Sequence, residues 1–112
     1  MDDRIERYDV RLLDEAIFDV RAIKSYIEHE LQNSSAAART IDSIFSVARG
    51  LSTLPRRNRV VEKYDGLEIR MAQAGRYLLL YVIQEKTVKI FAVLYSARDV
   101  RGRLAALVER LE

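Results

Sequence analysis

Arginine is the residue type with which this sequence could do chemistry, and it stands in three informative places. Arg56, Arg57 and Arg59 cluster just after Pro55, Arg70 lies in an alternating run between Ile69 and Met71, and Arg98 follows Tyr95 at the end of an apolar run. A guanidinium presents a planar fork of donors that fits carboxylate and phosphate oxygens, so these positions suit contacts with a target or partner. Each also has a plainer reading. The first cluster could be a solvated loop, Arg70 could simply solubilise a sheet face, and Arg98 could pair with Asp99 or cap a neighbouring element. Tyr77 and Tyr81 fit packing within a sheet better than ligand contact, while Tyr95, at a strand terminus, suits either. The one histidine, His29, sits in a helical stretch remote from these residues and reads as a solvated surface group.

Other chemistries find no residues to carry them. There are no cysteines, which removes a thiolate nucleophile, a disulfide framework and any Cys-based zinc site. No glycine loop is built to cradle a phosphate, no metal-ligand cluster stands out, and no serine–histidine–carboxylate arrangement occurs; Gly75-Arg76 is a turn signal. No cofactor or metal is therefore expected. The 112 residues suit one domain spanning 1–112, and 49% hydrophobic content is ample for one packed core. A net charge of +2 gives too weak a field for strong non-specific DNA binding, so local patches matter more than the total. No apolar run approaches the roughly 18 residues of a membrane span, and no membrane partner is expected. Met1-Asp2-Asp3-Arg4 is no secretory signal, and with the missing cysteines it fits a cytoplasmic protein.

The elements that must position these side chains can be read from periodicity. Tyr8, Val10 and Leu12 alternate with Asp9 and Arg11, the pattern of a half-buried strand. Asp14 is then expected to cap a helix whose apolar stripe is Ala16, Val20, Ile23, Ile27 and Leu31. Asn33, Ser34 and Ser35 interrupt it and offer caps for a second stripe of Ala37, Ile41, Ile44, Ala48 and Leu51, which Pro55 ends. So short a turn makes the two helices an antiparallel hairpin. Arg59 to Val61 then forms a short strand, Leu67 to Met71 a second, and Tyr77 to Ile83 a central one covered on both faces. After the polar turn at Glu85 and Lys86, Val88 to Tyr95 returns as another. Links this short require antiparallel pairing. From Asp99 onward, Val100, Leu104, Leu107, Val108 and Leu111 mark an amphipathic helix, packed on its own domain or offered to a partner. The class is α+β: an N-terminal strand, a helix hairpin, a three- to four-stranded antiparallel sheet and a C-terminal helix.

From about Tyr8 to Asp99 this order, with these residues in it, resembles the ParE/RelE toxins of type II toxin–antitoxin systems, also called plasmid stabilisation proteins. The stretch Asp19-Val20-Arg21-Ala22-Ile23-Lys24-Ser25-Tyr26-Ile27, the start Ala36-Ala37-Ala38-Arg39 and the ending Leu51-Ser52-Thr53-Leu54-Pro55-Arg56-Arg57 are similar to the family pattern. More specific are Leu67-Glu68-Ile69-Arg70, Gly75-Arg76-Tyr77-Leu78-Leu79-Leu80-Tyr81 and Val93-Leu94-Tyr95-Ser96-Ala97-Arg98-Asp99. The resemblance implies a cytoplasmic bacterial toxin wrapped and neutralised by a small antitoxin, ParD-like or similar. Its target would be DNA gyrase in ParE-like members, or mRNA in the ribosome in RelE-like ones.

The residues weigh these targets unequally. RNA cleavage needs groups that activate the ribose 2′-hydroxyl, stabilise the phosphate and protonate the leaving oxygen. Cleaving RelE-like relatives carry a basic residue at the position matched here by Leu78, and leucine cannot hold a phosphate. A nuclease would have to run on Arg70, Tyr95 and Arg98 alone. The Val93 to Val100 end is closer to ParE-like toxins, which often have histidine where Tyr95 stands. The expectation is therefore a toxin directed at gyrase, with Arg56, Arg57, Arg59, Arg70 and Arg98 contacting target or antitoxin. The rivals are a ribosome-dependent mRNA endonuclease and a non-toxic relative that keeps only antitoxin binding.

Overall fold

A computed structural model describes residues 5–112, and the expectation drawn from Met1 to Arg4 lies outside them. The chain forms β1 (Asp9–Leu12), α1 (Asp14–Ser25) with a π-helical extension (Tyr26–Glu30), α2 (Ser34–Gly50) and a 3-10 turn (Pro55–Arg57). The second half holds β2 (Val60–Tyr64), β3 (Leu67–Ala74), β4 (Tyr77–Gln84), β5 (Thr87–Leu94) and α3 (Ala97–Leu107), closed by a 3-10 turn (Val108–Leu111). The strands make one sheet in the order β1-β5-β4-β3-β2. Pairs from β2 to β5 are antiparallel, as their short links require, but β1 crosses over to pair β5 in parallel as a fifth strand.

Both sheet faces are covered, and the side-chain alternation of β4 shows how. Leu79 and Tyr81 pack with Ala16, Val20, Ile44 and Ala48 of the hairpin, while Leu80 and Val82 pack with Val100, Leu107 and Val108 of the C-terminal segment. An almost unbroken apolar run is what a central strand between two layers needs. The last helix is thus packed on its own domain.

Three local expectations are corrected. Asp14 is the first helical residue rather than the cap, because Leu13 continues the strand by donating its N–H to Ile90 O and the helix starts directly after it. Asp14 and Glu15 instead lie in the first turn, where carboxylates complement the helix dipole. Asn33 does cap α2, accepting from Ala36 N at 2.9 Å. Leu31 leaves the core stripe and is 57% exposed. The widened turn closed by Leu31 N to Tyr26 O inserts an extra residue and rotates it off the apolar face. The strand placed at Arg59 to Val61 starts one residue later and runs on to Tyr64.

β1 pairs only Thr87 to Ile90 of β5, so the upper half of β5 has no neighbouring strand on that side. Side chains take its place. Asp19 Oδ2 accepts the Val93 N–H at 3.0 Å, and Arg110 Nη1 donates to Phe91 O at 2.9 Å. The two side chains bind each other at 2.7 Å and are only 13% and 20% exposed. One ion pair therefore satisfies the open edge and ties α1 to the end of the C-terminal segment. Removing one partner of so enclosed a pair strands the other and the backbone group it served. Asp19→Ala is expected to lower unfolding stability by about 2–4 kcal/mol in urea titration. The Asp19→Ala/Arg110→Ala double variant should lose clearly less than the sum of the singles; additive losses would show that the pair does not act as a unit.

Candidate functional site

α2 ends at Gly50, ahead of the Pro55 expected to stop it, and the chain needs an anchor before it can enter the sheet. Leu54 bridges the two in a left-handed conformation, at φ 51°. Tyr81, fully buried in β4, donates its hydroxyl to Pro55 O at 2.6 Å and accepts from Asn58 Nδ2 at 3.0 Å. Arg70, opposite Tyr81 on β3, donates through Nη1 to Arg56 O at 2.9 Å and Asn58 O at 2.6 Å, and its Nη2 meets Glu68 at 3.0 Å. This clamp sets where Arg56, Arg57 and Arg59 emerge. Burial raises the Tyr81 phenol above the ordinary tyrosine range, offset in part by the Asn58 hydrogen bond and by Arg70 and Arg57.

At the other end of β3 the Gly75-Arg76 turn faces the end of β5. Gly75 has φ +62°, a left-handed conformation that glycine adopts without strain, and Gln73 Nε2 donates to its carbonyl at 2.8 Å. The turn brings Arg76 Nη1 to 3.4 Å from the Tyr95 hydroxyl. Tyr77 meets the Tyr95 ring edge-on, with centroids 5.5 Å apart. Burial raises the Tyr77 phenol, and the neighbouring Tyr95 and Tyr26 add to this. Together Arg59, Gln73, Arg76, Tyr95 and Ser96 line an open cleft of about 510 Å³ with Leu78 in its wall. Among the described residues the cleft is lined by donors and a phenol but by no histidine, lysine or carboxylate.

A second hollow lies on the hairpin side of Tyr95. It has a volume of about 540 Å³ and is walled by Ala22, Ile23, Tyr26, Leu31, Tyr77 and Tyr95. Tyr26, Leu31 and Tyr95 are 55%, 57% and 49% exposed, and Phe18, two turns before Tyr26 on the same helix, is 71% exposed. Tyr26, Leu31, Tyr77 and Tyr95 give the hollow an aromatic, apolar wall beside α1.

The family model described as the ParE toxin of the type II toxin–antitoxin system parDE matches residues 10–100. The chain belongs to the ParE toxin family. Among solved structures it is similar to the chromosomal ParDE system of P. aeruginosa, with 12% identity and a TM-score of 0.67, covering 80% of this chain and 97% of that one. It is also similar to the RelBE2 toxin–antitoxin complex of Mycobacterium tuberculosis, with 26% identity and a TM-score of 0.62, covering 86% and 99%. The archaeal RelE–RelB complex of Pyrococcus horikoshii is a further neighbour, at 14% identity and a TM-score of 0.58, covering 82% and 98%. At such identities the first and third speak for the fold alone. No curated protein sequence gives a match. The chain is thus a toxin of the ParE/RelE superfamily.

In this ParE-family toxin the residues singled out from sequence do not converge on one place. Arg56 and Arg70 line a groove at the Asp65-Gly66 turn, shared with the carboxylates Asp65 and Glu68. Arg70 is not the free cation its alternation suggested: its side chain is 12% exposed and its fork is engaged on main-chain carbonyls. Arg57 is exposed beside Gly50, at the α2 C-terminus, where a cation complements the helix dipole. Arg59 and Tyr95 line one cleft, toward the opposite end of β3. Arg98 is exposed in the first turn of α3 and lines neither cavity. His29 is exposed, as expected. The residue sequence reading missed is Arg76, which looked like part of a turn and lines the cleft with Tyr95. A glycine before an arginine announces a turn, but only the sheet order reveals what the turn faces.

The clamp carries a measurable signature. Tyr81→Phe removes a buried hydroxyl and leaves the Pro55 carbonyl and the Asn58 amide short of a partner, an expected loss of about 1–3 kcal/mol. It also changes the pH dependence. With its folded pKa raised, Tyr81 contributes stability that is fully present below about pH 10, the unfolded tyrosine value, and lost as pH rises through the higher folded one. Alkaline unfolding curves should therefore show a steeper loss for the native chain than for Tyr81→Phe. Parallel curves would mean that the phenol is not held neutral by the fold.

Proposed function

We propose that this toxin acts on DNA gyrase and is neutralised by a cognate antitoxin of the ParD-like kind. The observation that carries the choice of target is the composition of the cleft. Leu78 occupies the position where a phosphate-holding base would be wanted, and among the described residues the cleft walls supply no group able to accept the ribose 2′-hydroxyl proton near neutral pH. The three residues that a nuclease would have needed, Arg70, Tyr95 and Arg98, line no common cavity, and Arg70 is occupied in the clamp. A protein-directed poison requires no catalytic group on the toxin, so the same features are unobjectionable in that role. A cytoplasmic location follows from the target.

Antitoxin binding is supported by the surfaces left open. The aromatic hollow along α1 fits the apolar face of an amphipathic helix, and β1 and β2 are the sheet edges to which an extended segment could add. Exposed Arg56, Arg57, Arg59 and Arg98 would meet acidic side chains of that segment.

The test is supercoiling of relaxed plasmid by purified gyrase, with toxin alone and with toxin plus antitoxin. Inhibition with accumulated cleaved DNA, relieved by antitoxin, is expected. Gyrase that is unaffected while ribosome-bound mRNA is cut would sink the reading in favour of the endonuclease. Absence of growth arrest on induction without antitoxin would leave only the non-toxic relative.

A further inference from the structure

We propose that the solvent face of α1 is a self-association surface, on which a second copy of this chain packs antiparallel about a two-fold axis through Phe18. Ala16 and Val20, two residues to either side of Phe18, are both buried, which turns Phe18 directly away from the core. Its side chain is the most exposed of the large apolar ones among the described residues. One such residue by itself is ordinary. Its charged neighbours on the same face are what give it a partner.

Glu15 and Arg21 stand three residues before and three after Phe18, and both are exposed. That spacing sets them roughly 4.5 Å along the axis to either side of Phe18 and about 60° around the helix in opposite senses. A two-fold axis through Phe18 exchanges the ends of the helix and its sides together. It therefore carries Glu15 of one copy to the position facing Arg21 of the other, and the reverse. Phe18 of one copy meets Phe18 of the other on the axis, and Asp14 faces the small side chain of Ala22. A parallel pair would set Glu15 against Glu15 and Arg21 against Arg21, so the charges choose the direction. The ion pairs among the described residues engage neither Glu15 nor Arg21; on α1 they take Asp19 and Lys24. Complementarity of a surface to itself is the mark of an isologous contact, and a face meant for an unlike partner has no need of it. One helix face per copy lies at the small end of specific interfaces, so the dimer is weak and depends on concentration. The inference stands on α1 alone and goes beyond the gyrase reading without using it.

Sedimentation velocity of the purified full chain over a concentration series is the test. The native chain is expected to pass from monomer to dimer as concentration rises. Phe18→Ala removes both rings from the contact and should weaken the dimer about tenfold or more. Glu15→Arg and Arg21→Glu each set like charges together twice, and each should weaken it about tenfold, more at low salt than at high. An equimolar mixture of those two variants restores both pairs in a mixed dimer and should associate within about threefold of the native chain. Glu15→Arg also gives up a favourable place beside the helix dipole, and rescue in the mixture shows that the variant is folded. A chain that stays monomeric at every concentration would overturn the inference. So would a dimer indifferent to Phe18→Ala, or a mixture no tighter than its components. A monomeric chain whose antitoxin binding falls in Phe18→Ala would give this face to the antitoxin instead. Gyrase enters none of these readouts, so the toxin reading stands or falls separately.

Discussion

A four-residue strand laid against an eight-residue one leaves half of a sheet edge bare, and that mismatch organises much of this molecule. β1 ends at Leu12 because the chain must turn at once into α1, and past Ile90 β5 keeps its β4 neighbour but has no strand on the β1 side. Unsatisfied N–H and C=O groups there would each cost free energy and would invite another strand. Asp19 and Arg110 remove both problems, one from each layer that covers the sheet. The consequence is long-range. The C-terminal segment is fastened near its end to the first helix, and Tyr64 of the far edge strand adds a second tie through its hydroxyl to Glu112. The face beneath α3 is therefore closed by polar contacts at its rim as well as by Val100, Leu107 and Val108.

The same logic of occupied and unoccupied polar groups separates the arginines. Arg110 and Arg70 are consumed by the fold, one finishing a strand edge and the other holding the turn after α2. Their side chains are among the less exposed of the basic groups, and their partners include main-chain carbonyls that cannot move without local unfolding. Arg59 and Arg76 are exposed, and among the described residues no carboxylate lines their cleft. A protein of net charge +2 has little field to spare, so the place where positive charge is left uncompensated carries more meaning than the total.

Much of this was legible in the sequence, and the failures are instructive. The stripes Ala16-Val20-Ile23-Ile27 and Ala37-Ile44-Ala48 gave both helices because a buried helix face enforces its period. The run Tyr77 to Ile83 gave the central strand because two covered faces tolerate no polar residue. Arg70 shows the limit of alternation. It does point away from the α3 face, but the opposite face is covered too, and only the path of the chain after Pro55 decides that carbonyls await it. The parallel pairing of β1 escaped because a strand's partner some eighty residues away leaves no periodic trace. Arg76 escaped for the same reason: its contact with Tyr95 depends on the end of β5 lying opposite a turn, a fact of topology rather than of local pattern. Leu31 went astray through a widened helical turn that the 3.6-residue period does not anticipate.

The cleft at Tyr95 draws these strands together. Its wall is set by three elements, and its polar groups divide cleanly by what they can do. Guanidinium forks bind oxyanions at any physiological pH and are useless as proton acceptors there, because they do not deprotonate. A phenol can donate a proton to a leaving oxygen, but without a partner to take the proton from the nucleophile it completes only half of a cleavage reaction. Leu78 contributes volume and dryness, not charge. The described lining of this cleft thus lacks the proton acceptor that RNA cleavage would require, which is in keeping with the proposed action on gyrase through contact and not through the breaking of a bond.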